Sequence, residues 1–139
     1  MSTRGLLTVL VGAIFLFLVG WLVYGFLLMD YYAANVIHYD GLMKEMPNLL
    51  LIFISNLSWA FLFTIIYERW AGIKNFKDGF VAGLIIGLPL FITFDLWFLA
   101  GMNLYSTASI IVDIIVNTVI SGLLGGLIGW MLGFRKETA

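Results

Sequence analysis

Four long apolar stretches constrain what this chain can fold into more than any other feature of its sequence. They cover about residues 6–28, 48–67, 79–100 and 108–133, and each reaches the ~20 residues that a helix needs to cross a bilayer. Hydrophobic residues make up 63% of the 139 residues and charged residues 11%, whereas roughly a quarter of a soluble domain is charged. The sequence therefore predicts an all-α integral membrane protein with a single four-helix transmembrane domain over residues 1–139.

The basic residues predict how these helices are oriented. With four crossings, both termini and the loop between the second and third helices lie on the same side of the membrane. Six of the seven Lys and Arg residues fall in these segments: Arg4, Arg69, Lys74, Lys77, Arg135 and Lys136. Because positive charge marks cytoplasmic segments, both termini are predicted to be cytoplasmic, with loops 29–46 and 101–107 outside. We expect a multi-pass protein of a bacterial inner (cell) membrane.

The loop 29–46 mixes apolar, acidic and aromatic residues, which predicts a short helix lying at the membrane interface. It also contains His38, the only histidine of the chain, next to Tyr39 and Asp40. A lone histidine without a second His or Cys is poor support for a metal centre, so the sequence predicts no metal site and requires no cofactor. The net charge of −1, without a basic stripe, gives no reason to expect nucleic acid as a partner.

Small residues recur every four positions in the third and fourth apolar stretches. Helices in lipid approach closely where small residues face each other, so these positions predict tight packing of one helix on the other. The packing residues are Gly79, Gly83, Gly87, Ser121, Gly122, Gly125, Gly126, Gly129 and Gly133. A short loop makes the two helices antiparallel. The first three of these glycines are therefore expected at the depth of Gly125, Gly129 and Gly133.

Each of these two series ends on a carboxylate, at Asp95 and Asp113. At ~1.5 Å rise per residue, both lie roughly 7 Å below the outer boundary, so we expect them to face each other. An ionised carboxylate inside a membrane costs on the order of 2.5–3.5 kcal/mol at the centre, and the four apolar stretches contain no Lys, Arg or His. Three explanations stay open: water reaches the pair, one carboxyl group is protonated and bonds the other, or a cation binds between them.

Other polar side chains are expected near the two carboxyl groups, in the outer half of the bundle. Together they form a predicted site for a ligand, proton or cation: Asp95, Asp113, Asn117, Asn56, Tyr24 and His38. The alternative is that the acids and amides only hydrogen-bond neighbouring helices or reach the outer interface.

Three segments carry a resemblance: SNLSWAFLFTIIYERWAGIKNFKDG, FDLWFLAGMNLYS and VDIIVNTVISGLLGGLIGW. Together they resemble a group of small, uncharacterised bacterial membrane proteins with four predicted helices. The resemblance covers most of the second to fourth apolar stretches. It implies the topology and brings no chemistry with it.

Three functions follow from these observations. The first is a non-enzymatic helical bundle that associates with copies of itself or with a larger membrane complex and carries an outward-facing acidic cluster. The second is a transporter-like or sensing component that binds a proton, a cation or a small ligand. The third is a membrane-embedded enzyme that uses Asp95 and Asp113 as an acid–base pair. It ranks last because no nucleophile or metal set accompanies the pair.

Overall fold

The computed structural model describes residues 1–134, and its regular elements are all helices. Arg135 and Lys136, two of the basic residues behind the predicted orientation, lie outside the described residues. The helices are α1 (Thr3–Leu22), α2 (Met29–Asn35), α3 (Leu49–Ile65), α4 (Phe76–Gly101) and α5 (Thr107–Gly133). The first and second long helices continue as π-helical segments, Val23–Leu27 after α1 and Ile66–Ala71 after α3.

Four helical segments are long and apolar enough to cross a membrane: Thr3–Leu27, Leu49–Ala71, Phe76–Gly101 and Thr107–Gly133. The predicted number and order of membrane-length helices is thus confirmed, and the short helix expected in loop 29–46 is present as α2. The observed segments begin or end a few residues beyond the apolar stretches. The reason is that hydropathy does not include the polar turns at the helix ends, such as the first turn of α4 and the turn with Glu68 and Arg69.

Polar side chains cap the starts of the four long helices. Ser2, Asn48, Asn75 and Ser106 each accept a hydrogen bond from the backbone N–H three residues further along the chain. Such a cap satisfies one of the free N–H groups of the first turn and stabilises the helix by about 1 kcal/mol. At the other end, Gly72 stops the segment that follows α3 by adopting a left-handed φ of 62°.

Helix α5 lies at the centre of the bundle. It packs along α4 on one side and against α1 on another, and α1 packs in turn on α3. Accordingly, 44% of an apolar 18-residue stretch of α5 is buried inside the bundle, against 17–22% of the corresponding stretches in the other three long helices. Leu124 and Ile128 of α5 are fully buried together with Ala13, Ala60 and Phe63 of the neighbouring helices.

The remaining faces of α1, α3 and α4 expose large apolar side chains such as Leu18, Leu50, Ile85 and Trp97. Soluble monomers rarely expose contiguous apolar surface on this scale. A bilayer is the solvent in which such a surface is stable, so the pattern supports a helical membrane protein. We call the end with the N-terminus and the turn 72–75 the inner end, and the end with α2 and the loop 102–106 the outer end.

Glycines bring α4 and α5 into backbone contact in the inner half of the bundle. A Cβ atom on Gly79 would collide with the carbonyl oxygen of Gly125, and one on Gly83 with the carbonyl oxygen of Ser121. A Cβ on Gly129 would collide with the carbonyl oxygen of Asn75 in the same way. These positions therefore require glycine because the opposing backbone occupies the space of a side chain.

The register of this contact differs from the predicted one by more than a helical turn. Gly87 lies against Ser121 rather than at the level of Gly125, and Gly133 lies against the carbonyl of Lys74 in the preceding turn. The shift arises because α5 extends past the start of α4 at the inner end. Gly122 and Gly126 accommodate large side chains instead of backbone, since they lie beside Leu84 and the ring of Phe76.

Candidate functional site

A cavity of about 300 Å³ lies between α4 and α5 at the outer end, below α2 and the loop 102–106. Its lining includes both predicted carboxyl groups and four aromatic side chains: Tyr24, Tyr32, Asp95, Phe98, Tyr105 and Asp113. The rest of the lining is mainly apolar. No Lys, Arg or His within residues 1–134 is among the lining residues.

Asp113 is held by three hydrogen bonds from neighbouring side chains. Its Oδ1 accepts from the hydroxyl of Tyr24 at 2.7 Å and from the hydroxyl of Tyr32 at 2.9 Å. Its Oδ2 accepts from the Nδ2 of Asn117 at 3.0 Å. That amide also donates to the Tyr24 hydroxyl at 2.6 Å, so Tyr24 both accepts and donates within one network. Helices α1, α2 and α5 therefore converge on a single carboxylate.

Asp95 is in a different situation. Its side chain comes from α4, is only 8% exposed, and lines the cavity together with Asp113. Its Oδ2 is buried and has no hydrogen-bond donor among the described residues. Burying a carboxyl oxygen without a donor is costly. The cavity thus contains one carboxyl group with hydrogen-bond donors on both oxygens and one whose Oδ2 has no donor.

Two tyrosines of the site were missed by the sequence analysis. Tyr32 reaches Asp113 from α2, and Tyr105 lines the cavity from the loop 102–106. Burial and the hydrogen bond to Asp113 raise the pKa of Tyr32 above its ordinary value, and burial and the charge of Asp113 raise the pKa of Tyr105. Both side chains are therefore neutral hydroxyl groups at physiological pH.

Backbone pairing between the two outer loops holds these tyrosines above the cavity. Val36 and Tyr105 form an isolated antiparallel bridge, and the N–H of Ile37 donates to the carbonyl of Leu104 at 2.7 Å. The hydroxyl of Tyr39 donates to the carbonyl of Asn103 at 2.8 Å. The segment after α2 is thus attached to the loop between α4 and α5. No pattern in the sequence indicated this pairing.

The predicted site residues divide into those that meet at the cavity and those that do not. Tyr24 and Asn117 belong to the network around Asp113. Asn56 lies instead in a groove between α1 and the start of α3, because the outer part of α3 packs on α1. His38 has an 83% exposed side chain beside Asp40 and points away from the cavity, because the pairing of Val36 with Tyr105 carries the chain outward after α2.

The inner end carries charged groups of both signs. Ser2 donates to the Glu68 carboxylate through its hydroxyl and through its backbone N–H. The guanidinium of Arg4 donates to the carbonyl of Leu132 at 3.4 Å. Neither here nor at the outer end do three or more His, Asp or Glu side chains of residues 1–134 converge on a point where a metal ion would bind.

Comparison with protein-family models, with curated proteins and with solved structures found no match. The resemblance to small four-helix bacterial membrane proteins therefore stays a prediction. The feature of the cavity that bears most directly on function is the difference between its two carboxyl groups.

Proposed function

We propose that this chain is a small multi-pass membrane protein that binds a cation in its outer cavity. The observation that carries the proposal is the buried Oδ2 of Asp95, which has no donor among the described residues and lies beside a second carboxylate. A carboxylate buried away from water is compensated by an opposite charge or by uptake of a proton, and the described lining of the cavity offers no basic side chain.

The two carboxyl groups have different roles in this proposal. Asp113 holds the network in place through its bonds to Tyr24, Tyr32 and Asn117. Asp95 is the group that binds, because its Oδ2 has no donor and is able to coordinate a metal ion or to accept a hydrogen bond from an ammonium group. A proton competes for the same oxygen, so cation binding should weaken as the pH is lowered. The function is binding, and no catalytic step is needed to explain the cavity.

The test is ligand-dependent stability of the purified protein in detergent micelles. Thermal unfolding is followed with sodium, potassium, magnesium, calcium and organic ammonium salts, since a ligand stabilises the folded state by mass action. At least one cation should raise the melting temperature of the wild type and lose that effect in Asp95→Asn. Asp40→Asn is the matched control, because this carboxylate is fully exposed outside the cavity. Equal shifts in both variants, or no shift with any cation, would contradict the proposal.

The proposal also includes the orientation, with the cavity facing outward and the termini cytoplasmic. It is supported by Arg4, Lys74 and Lys77 at the inner end, against Lys44 alone in the outer loops. Because the chain has no cysteine, single-cysteine variants are directly informative. A membrane-impermeant maleimide should label Asn103→Cys in intact cells and Lys77→Cys only after lysis. The reverse result would place the cavity on the cytoplasmic side.

A second candidate function is self-association in the membrane, which a different residue favours. Asn56 lines an apolar groove of about 410 Å³ between α1 and α3, and its amide makes no hydrogen bond to the other described residues. Polar side chains that face lipid gain most from a partner helix. In a two-fold dimer the same surface of each copy forms the interface. Such a dimer would bring the two Asn56 amides together, and each amide would then have a hydrogen-bond partner.

Disulfide crosslinking tests this candidate. Ile52 lies one turn from Asn56 in the same groove, and Ile85 is exposed on α4 away from it. Under oxidising conditions, Ile52→Cys should form a covalent dimer that Asn56→Leu abolishes, and Ile85→Cys should stay monomeric. Equal dimer yields would exclude this groove. A crosslink to another polypeptide would indicate a subunit of a larger membrane complex.

A further inference from the structure

We infer that the cation is a small organic amine, a primary or secondary ammonium that carries one apolar group. The inference rests on the proposed function and adds the chemical class of the ligand. Three features of the cavity carry it: the number of free carboxylate oxygens, the size and lining of the space, and the kind of partner that Asp95 lacks.

The count of free ligands does not suit a divalent metal ion. Both oxygens of Asp113 already accept bonds from Tyr24, Tyr32 and Asn117. Calcium takes about six to eight oxygen ligands and magnesium about six, and the described cavity has Asp95 as its one carboxyl group with an unused oxygen. A single ammonium group, by contrast, needs only one or two acceptors.

The size of the cavity points in the same direction. It measures about 300 Å³, which is far more space than one inorganic ion fills. It also lies at the lower end of the roughly 300–1,000 Å³ typical of small-molecule pockets. Phe98, Ile110 and Met43 line it with apolar surface. An inorganic ion would leave this surface uncovered, whereas an organic substituent of the amine covers it.

The missing partner of Asp95 defines the head group. Its buried Oδ2 is an acceptor without a donor, and an ammonium ligand supplies both the N–H group and the charge that this oxygen lacks. The rings of Tyr24 and Tyr32 lie with centroids 5.5 Å apart beside the carboxyl pair, and aromatic faces attract ammonium groups. A quaternary ammonium has the charge but no N–H, so it should bind less well than a primary amine of the same size.

The experiment compares five probes by calorimetry on the wild-type protein in detergent micelles. The probes are phenethylammonium, its N,N,N-trimethyl derivative, the neutral analogue 2-phenylethanol, sodium chloride and calcium chloride. We expect phenethylammonium to bind at least about tenfold more tightly than the alcohol and the trimethyl derivative, because a charge-assisted hydrogen bond is about twice as strong as a neutral one. Asp95→Asn should remove this preference, and Asp40→Asn should retain it.

Each outcome separates the inference from the proposed function. Binding of sodium or calcium that depends on Asp95, without preference for the amine, would overturn the amine inference and support cation binding. Equal affinity for the amine and the alcohol overturns the inference directly, and this comparison uses the wild type, so it does not depend on a variant that folds. If no cation binds at all, both proposals fail. As a second variant, Phe98→Leu should weaken phenethylammonium several-fold while leaving the preference for the amine over the alcohol.

Discussion

The inner and outer halves of the α4–α5 pair are built in opposite ways. In the inner half, Gly79 and Gly83 allow the two backbones to touch, with no space for a side chain between them. In the outer half, Asp95 and Phe98 of α4 face Asp113 and Ile110 of α5, and a cavity separates the helices. One pair of helices thus combines a closed contact, which stabilises the bundle, with an open end that is suited to binding.

The polar groups follow the same division. Close backbone contact between α4 and α5 in the inner half leaves little room for water or ligand between these two helices. The hydroxyl of the fully buried Tyr67 there donates to the carbonyl of Gly79 at 2.6 Å. In the outer half, the hydrogen bonds from Tyr24 and Tyr32 converge on Asp113, and the Oδ2 of Asp95 has no donor among the described residues. Changes in the inner half should therefore alter stability, and changes in the outer half should alter both stability and binding.

The largest expected effect comes from breaking the inner contact. Gly83→Ala places a methyl group against the carbonyl oxygen of Ser121, which is backbone and cannot move aside easily. Overpacking of this kind lowers the free energy of unfolding by up to about 3 kcal/mol. Gly20→Ala is the control, since no atom lies within 4 Å of its added methyl group, and it should be neutral or stabilising by about 0.5–1 kcal/mol. The free energy of unfolding of both variants is measured by following the loss of helicity during titration with SDS. Equal values for Gly83→Ala and Gly20→Ala would contradict the close backbone contact at Gly83.

The next effect distinguishes the two carboxyl groups. Asp113→Asn weakens the acceptor of three hydrogen bonds, and we expect it to destabilise the protein by about 2 kcal/mol. Asp95→Asn removes a buried group that has a free oxygen, so the free energy of unfolding should stay within about 0.5 kcal/mol or rise. The same SDS titration measures the two variants side by side. If Asp95→Asn were the more damaging substitution, the roles assigned to the two residues would be reversed.

A smaller effect tests the network around Asp113. The hydroxyl of Tyr24 both donates to Asp113 and accepts from Asn117, whereas that of Tyr32 only donates. Tyr24→Phe should therefore cost about 1.5 kcal/mol and Tyr32→Phe about 0.5–1 kcal/mol. Tyr31→Phe, one residue away, should have little effect. Thermal unfolding of the three variants gives the order, and a larger loss in Tyr31→Phe than in Tyr32→Phe would contradict the assigned bonds.

The smallest effect is on alkaline stability. The folded protein raises the pKa of Tyr32 above its ordinary value of 10.0, whereas the unfolded chain loses that proton near pH 10. The folded state then binds more protons than the unfolded state, so the free energy of unfolding should fall as the pH rises above about 10. Unfolding at pH 8 and pH 11 measures the loss. The decline should be smaller in Tyr32→Phe, and an identical decline would show that Tyr32 does not contribute.

Part of the site was predictable because it depends on local spacing. Asp95 and Asp113 each continue a four-residue series in adjacent antiparallel helices, so their common depth follows from helix geometry. Tyr24 and Asn117 were predicted near them for the same reason. Tyr32 and Tyr105 were not, because they belong to segments whose positions depend on the bridge between Val36 and Tyr105. Asn56 and His38 were expected at the cavity, but the structure places both residues elsewhere.

The four membrane-length helices and the spacing of the small residues on α4 and α5 follow from local sequence, because they depend on neighbours within a few residues. Which carboxyl group has donors on both oxygens depends on tertiary packing. The bonds to Asp113 from Tyr24 and Tyr32 join residues 89 and 81 positions apart. Such long-range partners are selected by how α1, α2 and α5 pack, and the same packing leaves the Oδ2 of Asp95 without a donor among the described residues.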